Sequence, residues 1–256
     1  MKVIVAVPSY KCANQIQRVL ADFDQILLDR IDHIIVIDNQ SVDGTIEKAI
    51  ASAKFFPMGK IVVVRNGANY GLGGTHKVAL LYAESQGADY LAIVHGDHQA
   101  KSSELNLLLD VAEKNLNCSA VLGARFIKGS RRYGYSLLRT YGNFMLNAIY
   151  SVLTLRVISD MGSGLNLFRI KDLQDHRYLH FNNNFTFNHD LLLDYCNKGL
   201  NLDFVPITWT ETDQISNAKT FSVGWIALKT VLFWRFNKTV KFERTEGDFS
   251  YEIAYP

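Results

Sequence analysis

The most constraining feature of this sequence is a repeated alternation of short apolar runs with segments of helical spacing. Four runs rich in Val and Ile occur in the first hundred residues, and each ends in polar or turn-forming residues: 3–7, 33–37, 61–64 and 90–94. Apolar residues then recur at helical intervals, as at Ile16, Val19, Leu20 and Phe23. Runs of this kind are typical of buried parallel strands. The pattern therefore predicts an α/β fold with a mostly parallel central sheet and flanking helices on both faces.

The second half of the chain is less regular. Its pattern predicts strands at 120–123, 165–168 and 202–205 and helices over 137–158 and 187–198.

Hydrophobic residues make up 48% of the 256 residues and charged residues 20%, which is enough apolar material for one sizeable core. The net charge of +2 does not favour nucleic acid as a partner. The three cysteines, widely separated, are interpreted as reduced structural thiols of a cytosolic protein.

Polar side chains stand at the ends of the four predicted strands: Ser9, Asp38, Asn66 and Asp97. Ligands of open α/β sheets bind outside the carboxyl ends of the strands. The sequence therefore places the binding site at this edge.

Asp97 and Gln99 flank His98 directly after the fourth strand. A turn there can direct two side-chain oxygens toward one hard cation, Mg²⁺ or Mn²⁺. A cap or turn role for Asp97 is the alternative. His95 and His98 have no third ligand at a zinc-like spacing.

Asp38 ends the second strand, where a carboxylate can accept hydrogen bonds from a ribose hydroxyl or a base N–H. Capping of the next helix is the alternative for Asp38, and Asp43 is a candidate N-cap. The glycine-rich segment 69–74 lacks the dinucleotide-binding spacing, and no P-loop is present. We expect this loop to let the backbone approach a ligand or a neighbouring element.

Seven short motifs occur in order along the chain: PSY at 8–10, DNQSVDGT at 38–45, NYG at 69–71, GDHQ at 96–99, GARF at 123–126, SDMGSGLNLFR at 159–169 and SNAK at 216–219. Together they resemble the family-2 glycosyltransferases of the GT-A fold. The later motifs are similar to the dolichyl-phosphate mannose synthase branch and its bacterial polyprenyl-phosphate relatives. The resemblance covers about residues 1–220 and implies that residues 221–256 form a C-terminal extension.

The resemblance implies a donor site. Asp38 would bind the nucleoside. Pro8, Ser9 and Tyr10 would line its base, with Asn69 and Gly71 nearby. Asp97 and Gln99 would hold Mg²⁺ or Mn²⁺ on the diphosphate of a UDP-, GDP- or dTDP-sugar. Lys219 would reach a phosphate.

The resemblance also implies residues for the acceptor and for catalysis. Arg125 would bind a phosphate of donor or acceptor, and Asp160 with the turn at 162–164 would line the acceptor side. Asp190 is the candidate base or sugar ligand. A phosphate acceptor would need little base assistance, whereas a sugar hydroxyl would need Asp190.

Three positions depart from the family pattern. His95 stands where a second metal-binding acid is usual, Asn39 replaces another acid, and Cys12 stands where an acid often contacts the ribose. These changes leave the identity of the donor open.

The segment 221–236 predicts an aromatic helix with basic residues in and after it. Such a helix suits a membrane interface, while packing on the domain or on a partner in a homodimer is the alternative. No apolar run approaches the roughly 18 residues of a spanning helix, and the N-terminal run is too short for a signal peptide. We therefore expect a cytoplasmic protein, peripheral on the inner face of the membrane.

The expected function is an inverting, metal-dependent glycosyl transfer from a nucleotide-diphosphate sugar to a polyprenyl phosphate or a lipid-linked saccharide. Transfer to a glycan hydroxyl, as in capsule or O-antigen assembly, is the alternative within the class. A catalytically silent nucleotide-binding subunit is a second alternative. A sugar-nucleotide pyrophosphorylase is disfavoured, because residues 8–12 supply no glycine- and lysine-rich loop.

Overall fold

The computed structural model describes residues 1–211, 220–237 and 248–256. Eight strands of this part form one sheet. In chain order they are β1 (Val3–Ser9), β2 (His33–Asp38), β3 (Ile61–Asn66), β4 (Tyr90–Val94), β5 (Cys118–Ala124), β7 (Leu165–Arg169), β8 (Asn201–Pro206) and β10 (Tyr251–Tyr255). β6 (Arg131–Tyr133) and β9 (Thr208–Thr210) pair separately, in parallel.

The sheet order is β10-β3-β2-β1-β4-β7-β5-β8. β1 to β4 are parallel, and every residue of β1, β2 and β4 is buried, as the continuous apolar runs predict. β7 runs antiparallel between β4 and β5. The predicted α/β architecture with a mostly parallel sheet is confirmed.

Helices cover both faces of the sheet. They are α1 (Ile16–Ala21), α2 (Gln25–Arg30), α3 (Thr45–Ala53), α4 (Gly71–Ser85), α5 (Leu105–Lys114), α6 (Leu137–Thr154), α7 (Phe187–Asn197) and α8 (Thr220–Asn237). Side chains of α1, α2, α3 and α5 pack on one face of the sheet, and those of α4, α7 and α8 on the other. The core therefore consists of two apolar clusters, one on each face of the sheet.

The predicted helix that includes Phe23 is interrupted. α1 ends at Ala21, and the Asp24 carboxylate caps α2 by accepting from the Leu27 amide at 2.8 Å. The glycine-rich segment predicted as a loop is largely helical, since α4 begins at Gly71. The N-cap of α3 is Gly44 rather than Asp43, although the Asp43 carboxylate still accepts from the Thr45 amide.

The predicted C-terminal extension contributes to the domain in two places. Tyr150 Oη on α6 donates to the Ala227 carbonyl of α8 at 2.9 Å. β10 forms an antiparallel edge strand beside β3, with Tyr251 opposite Asn66. The proposed division at residue 220 therefore separates segments that share one sheet.

Candidate active site

The carboxyl ends of β1, β2 and β4 meet at one edge of the sheet. The Asn39 amide donates to the Ser9 carbonyl at 2.8 Å, and the Gly96 amide donates to the Pro8 carbonyl at 2.9 Å. A Cβ atom on Gly96 would lie 2.5 Å from Ser9 Oγ, so this close approach requires glycine. The structure thus brings the predicted Pro8–Ser9 segment between Asp38 and the turn that carries Asp97.

The turn after β4 presents Asp97 and Gln99 and turns His98 away. Asp97 Oδ1 accepts from the Gln99 amide at 3.1 Å. His98, with a positive φ of 58°, directs its ring to Asp22, where Nε2 lies 3.0 Å from Oδ2. Asp97 and Gln99 are half-buried, and the Gln99 carbonyl accepts from the Thr210 amide of β9 at 2.8 Å.

This turn offers a sparse set of ligands for a cation. In the part of the chain that the structure describes, no three His, Cys, Asp or Glu side chains come together as a metal site. Asp97 supplies a carboxylate, whose Oδ1 is bonded within the turn, and Gln99 supplies an amide oxygen. Mg²⁺ and related hard cations are often held by one or two carboxylates plus substrate phosphates and water. The donor set therefore fits a cation that also binds a diphosphate.

Asp38 is fully buried at the end of β2. Its carboxylate accepts from the Ser41 amide and lies 3.4 Å from Arg65 Nε. Burial raises the pKa of Asp38, and the bonds from Ser41 and the charge of Arg65 only partly offset this. Asp38 does not cap α3, which begins at Thr45.

Asn39 joins the end of β2 to the start of α4. Its Nδ2 donates to Asn69 Oδ1 at 2.9 Å, while its Oδ1 accepts from Asn66 Nδ2 and from the Tyr70 amide. Asn69 Oδ1 also accepts from the Gly71 amide at 3.0 Å. An amide can both donate and accept here, whereas a carboxylate at position 39 would only accept.

Tyr10 and Cys12 follow Ser9 in the segment after β1. Tyr10 is exposed, and Lys11 Nζ lies 5.2 Å from the centroid of its ring. Cys12 is buried, and this burial raises the pKa of its thiol to about 12. Cys12 is therefore a neutral thiol rather than a substitute for an acidic ribose ligand.

His95, which precedes this turn, pairs with His76 of α4. Their Nε2 atoms lie 3.2 Å apart. Burial lowers the pKa of both rings, and His95 lowers that of His76 further. The His95 amide donates to the Gly164 carbonyl at 2.9 Å, which brings the predicted acceptor turn at 162–164 next to the end of β4.

Arg125 and Asp160 bind each other. Arg125 Nε and Nη2 each donate to the Asp160 carboxylate at 2.8 Å, and the Arg125 amide donates to it at 2.9 Å. Only 8% of Arg125 and 2% of Asp160 are exposed, and the guanidinium carbon lies 4.7 Å from the Trp209 ring centroid. Burial lowers the pKa of Arg125, but Asp160 outweighs this and the pKa ends above its usual value. The predicted phosphate ligand is thus an ion-pair partner here.

Asp190 lies in the first turn of α7 and is fully buried. Its Oδ2 accepts from the Asn182 side chain at 3.0 Å and from the Asn182 amide at 3.3 Å. A Cβ atom on Gly73 would lie 2.4 Å from the Asn182 carbonyl oxygen. The expected close approach of the glycine segment is therefore to a neighbouring element.

Sequence reasoning missed several residues at this site. His76 and Lys77 lie on α4, and Lys77 Nζ donates to Phe181 O at 2.5 Å and to Asn183 Oδ1 at 2.7 Å. Two adjacent titratable residues in the first half of α4 were a visible signal, as was the Asn182–Asn184 triplet. Lys219 lies outside the described residues.

No helix in the described part of the chain combines the length and apolarity that crossing a membrane requires. α8 buries Ala227, Val231 and Trp234 against the domain but exposes Trp225 and Phe236.

Comparison with known proteins identifies the family of this chain. The model of the family described as Glycosyl transferase family 2 matches residues 4–177, more than half of the chain. A dolichyl-phosphate beta-glucosyltransferase from Saccharomyces cerevisiae is 22% identical over 227 residues, which are 82% of this chain and 67% of that protein.

Two solved structures share the fold. Glucosyl-3-phosphoglycerate synthase from Mycobacterium tuberculosis, in complex with Mn²⁺, UDP and glucosyl-3-phosphoglycerate, has a TM-score of 0.64 at 14% identity over 99% of this chain and 87% of that one. A mannosyltransferase from Pyrobaculum calidifontis, in complex with GDP-Man and Mn²⁺, has a TM-score of 0.64 at 17% identity over 94% of this chain and 65% of that one. With this GT-A fold and a family match over residues 4–177, the chain belongs to glycosyl transferase family 2.

Proposed function

We propose that this glycosyltransferase moves a sugar, with inversion, from a nucleotide-diphosphate donor to a polyprenyl phosphate or a lipid-linked saccharide. The observation that carries the proposal is the convergence of the β1, β2 and β4 ends. It puts Asp38 and Asp97 on either side of Pro8 and Ser9. A nucleoside at Asp38 and a diphosphate at Asp97 would span this edge.

The proposed donor is a UDP-, GDP- or dTDP-sugar. The related structures hold UDP in one case and GDP-Man in the other, each with Mn²⁺. Asp97 and Gln99 would hold Mn²⁺ or Mg²⁺, which neutralises charge on the departing diphosphate when bound. Pro8, Ser9 and Tyr10 would line the base, Asn69 and Gly71 would border it, and Lys219 would reach a phosphate.

The transfer is a displacement at the anomeric carbon. An acceptor oxygen forms the new bond to that carbon while the bond to the diphosphate oxygen breaks, and the nucleoside diphosphate leaves with the electron pair. A phosphate acceptor is already ionised and needs no base. A hydroxyl acceptor would lose its proton to Asp190, and in either case the turn at 160–164 would line the acceptor side.

A lipid-linked acceptor is supported by the yeast relative, whose name gives dolichyl phosphate as its acceptor. It is also supported by α6, whose outward face is apolar. Leu138, Tyr141 and Met145 are exposed on it, whereas the buried residues of this helix include Asn147 and Thr154. Neither α6 nor α8 contains an acidic residue, and α8 carries Lys229 and Arg235. We propose that these helices rest on the anionic cytoplasmic face of a membrane.

The donor and the acceptor can be tested in sequence. UDP-, GDP- and dTDP-sugars with Mn²⁺ are compared by thermal unfolding, where a true donor at about 100 times its dissociation constant should stabilise the fold by about 2.7 kcal/mol. The stabilising donor, radiolabelled, is then offered to a polyprenyl phosphate, 3-phosphoglycerate or a soluble oligosaccharide. Label in the polyprenyl product supports the proposal, and label only in a water-soluble product contradicts it. A protein that binds donor but releases no nucleotide with any acceptor would be a silent subunit.

Membrane contact can be tested separately with two exposed methionines. Met145 on α6 is 60% exposed. Met58, in the loop between α3 and β3, is fully exposed. In flotation with vesicles containing anionic lipid, Met145→Glu should weaken binding and Met58→Glu should leave it unchanged. Equal binding by both variants, or a dimer that dissociates only with Met145→Glu, would contradict the membrane assignment.

A further inference from the structure

The loop after β3, here called the donor loop (residues 67–70), is held on its inner side by Asn39. The Asn39 side-chain oxygen accepts from the Tyr70 amide at 2.9 Å, and the side-chain nitrogen donates to Asn69 Oδ1 at 2.9 Å. Asn39 directly follows Asp38, the proposed nucleoside ligand. The conformation of the donor loop is therefore tied to the end of β2, where the nucleoside would bind.

The outer side of the donor loop is held by residues 248–250, which lead into β10. The Gly67 amide donates to the Ser250 carbonyl at 2.9 Å. Tyr70 Oη lies 3.0 Å from Asp248 Oδ1, 3.2 Å from the Ser250 carbonyl oxygen and 3.3 Å from Ser250 Oγ. A phenolic hydroxyl both donates and accepts, so it can bond to Asp248 and to Ser250 together. Residues that are 178 positions apart, Tyr70 and Asp248, thus meet at the donor edge.

Phe249, between these two residues, has a backbone conformation that a bulky side chain rarely adopts. Its φ is 48°, in the left-handed region. Its buried ring packs edge-on against the Tyr70 ring, with centroids 5.5 Å apart, and Lys77 Nζ lies 5.3 Å from its centroid. Such a conformation persists only where the surrounding contacts hold it. Residues 248–250 are therefore packed firmly against the first turns of α4.

We propose that residues 248–250 position the donor loop through the Tyr70 hydroxyl, so that Asn69 and Gly71 are ordered before the donor binds. This inference rests on the proposed function, in which Asn69 and Gly71 border the base. When the loop is ordered in advance, donor binding costs less conformational entropy. Tyr70 is thus a positioning residue, and loss of its hydroxyl weakens donor binding by loosening its neighbours.

The first test compares Tyr70→Phe, which removes only the hydroxyl, with the matched control Tyr82→Phe. Tyr82 also lies on α4 and its ring also meets β10, with its centroid 6.2 Å from that of Tyr251. Its hydroxyl, however, lies 2.8 Å from His33 Nε2, near the C-terminal end of the helix.

The two variants and wild type are titrated calorimetrically with UDP, GDP and dTDP in the presence of Mn²⁺. For the nucleotide that binds, the dissociation constant should be about threefold to tenfold higher for Tyr70→Phe than for wild type. Tyr82→Phe should bind as wild type does. Equal constants for Tyr70→Phe and wild type, or equal increases in the two variants, would overturn the inference.

Hydrogen exchange of the nucleotide-free protein reads the loop itself. In Tyr70→Phe, the amides of residues 70 and 71 should exchange about threefold to tenfold faster than in wild type. Tyr82→Phe should leave their exchange unchanged. Unchanged exchange in Tyr70→Phe would contradict the inference, because the loop would then be ordered without the hydroxyl.

A double-mutant cycle with Asp248→Ala separates positioning from direct contact with the donor. Asp248→Ala should raise the dissociation constant of the nucleotide about twofold or more in the wild-type background, but not in the Tyr70→Phe background. Equal factors in the two backgrounds would mean that the hydroxyl acts independently of residues 248–250, and the inference would fall.

Failure of the proposed function gives a different result. A wild-type protein that bound none of UDP, GDP and dTDP would remove the donor assignment and, with it, this inference. A wild-type protein that bound one of them as tightly as Tyr70→Phe does would overturn the inference alone.

Discussion

The edge formed by β1, β2 and β4 and the region between β5 and β7 both contain charged residues at strand ends, yet they use them differently. At the first edge, Asp97 is half-buried, and within the described ranges its carboxylate bonds only to the Gln99 amide of its own turn. In the second region, Asp160 is buried and gives both carboxylate oxygens to Arg125. The same motif resemblance implies a ligand-binding role for all three residues.

The difference shows that a charged side chain at a strand end can either stay available to a ligand or pair with an opposite charge inside the protein. In the parallel half, all four strands deliver their carboxyl ends to one edge, where ligand can approach. In the second half, the antiparallel β7 brings the start of one strand beside the end of another, so opposite charges meet inside the protein. The first arrangement suits ligand binding, and the second holds the fold together.

The largest expected effect comes from breaking the buried ion pair. Asp160→Ala leaves the Arg125 guanidinium buried without its partner, which should reduce the free energy of unfolding by about 3–5 kcal/mol in urea titrations. Glu84→Ala, which removes the partly exposed pair with His176, should cost about 1 kcal/mol or less. Equal losses in the two variants would mean that Asp160 is not a structural residue.

The next largest effect should be on turnover. Asp97→Ala removes the carboxylate of the metal turn, and we expect nucleotide release to slow at least about 100-fold, or about 2.7 kcal/mol at the transition state. Stability should change by about 0.5 kcal/mol or less. Asp22→Ala, which removes only the partner of His98, is the control and should keep its turnover. An Asp97→Ala protein with full activity would remove the metal assignment.

Substitutions of two glycines test how tightly α4 packs at the site and how loosely α6 packs outside it. Gly73→Ala would place a Cβ atom 2.4 Å from the Asn182 carbonyl, so we expect a loss of about 1–3 kcal/mol from overpacking. Gly142→Ala in α6 meets nothing within 4 Å and should stabilise the protein by about 0.5–1 kcal/mol. Thermal unfolding of both variants measures the contrast, and the same sign for both would refute it.

The smallest effect concerns two aspartates, Asp38 at the end of β2 and Asp43 in the loop that follows it. Burial raises the pKa of Asp38 above the usual 3.8, so its stabilising contribution is complete below that value and is lost as pH rises through the folded pKa. For Asp43, partial burial raises the pKa, but bonds from Thr45 and Ala13 outweigh this and leave it below 3.8. Its contribution is present above 3.8 and is lost only as pH falls through the folded pKa.

Asp38→Asn should therefore be more stable than wild type at pH 7, by about 1 kcal/mol or less, and this gain should shrink at pH 4. Asp43→Asn should be slightly less stable than wild type at both pH values, since its exposed carboxylate is screened by solvent. Urea unfolding at the two pH values checks both signs. A gain from Asp38→Asn that grew on acidification would contradict the assignment.

The sequence by itself determined the alternation of strands and helices, the edge at which Ser9, Asp38 and Asp97 meet, and the family. Each of these follows from local periodicity or from short motifs, which depend on residues close together in the chain. The tertiary structure decided that Arg125 binds Asp160, that His95 pairs with His76, that Asn182 binds Asp190, and that β10 completes the sheet. These partners are between 8 and 192 residues apart, and only the register of the sheet and the packing of α4 and α7 bring them within bonding distance.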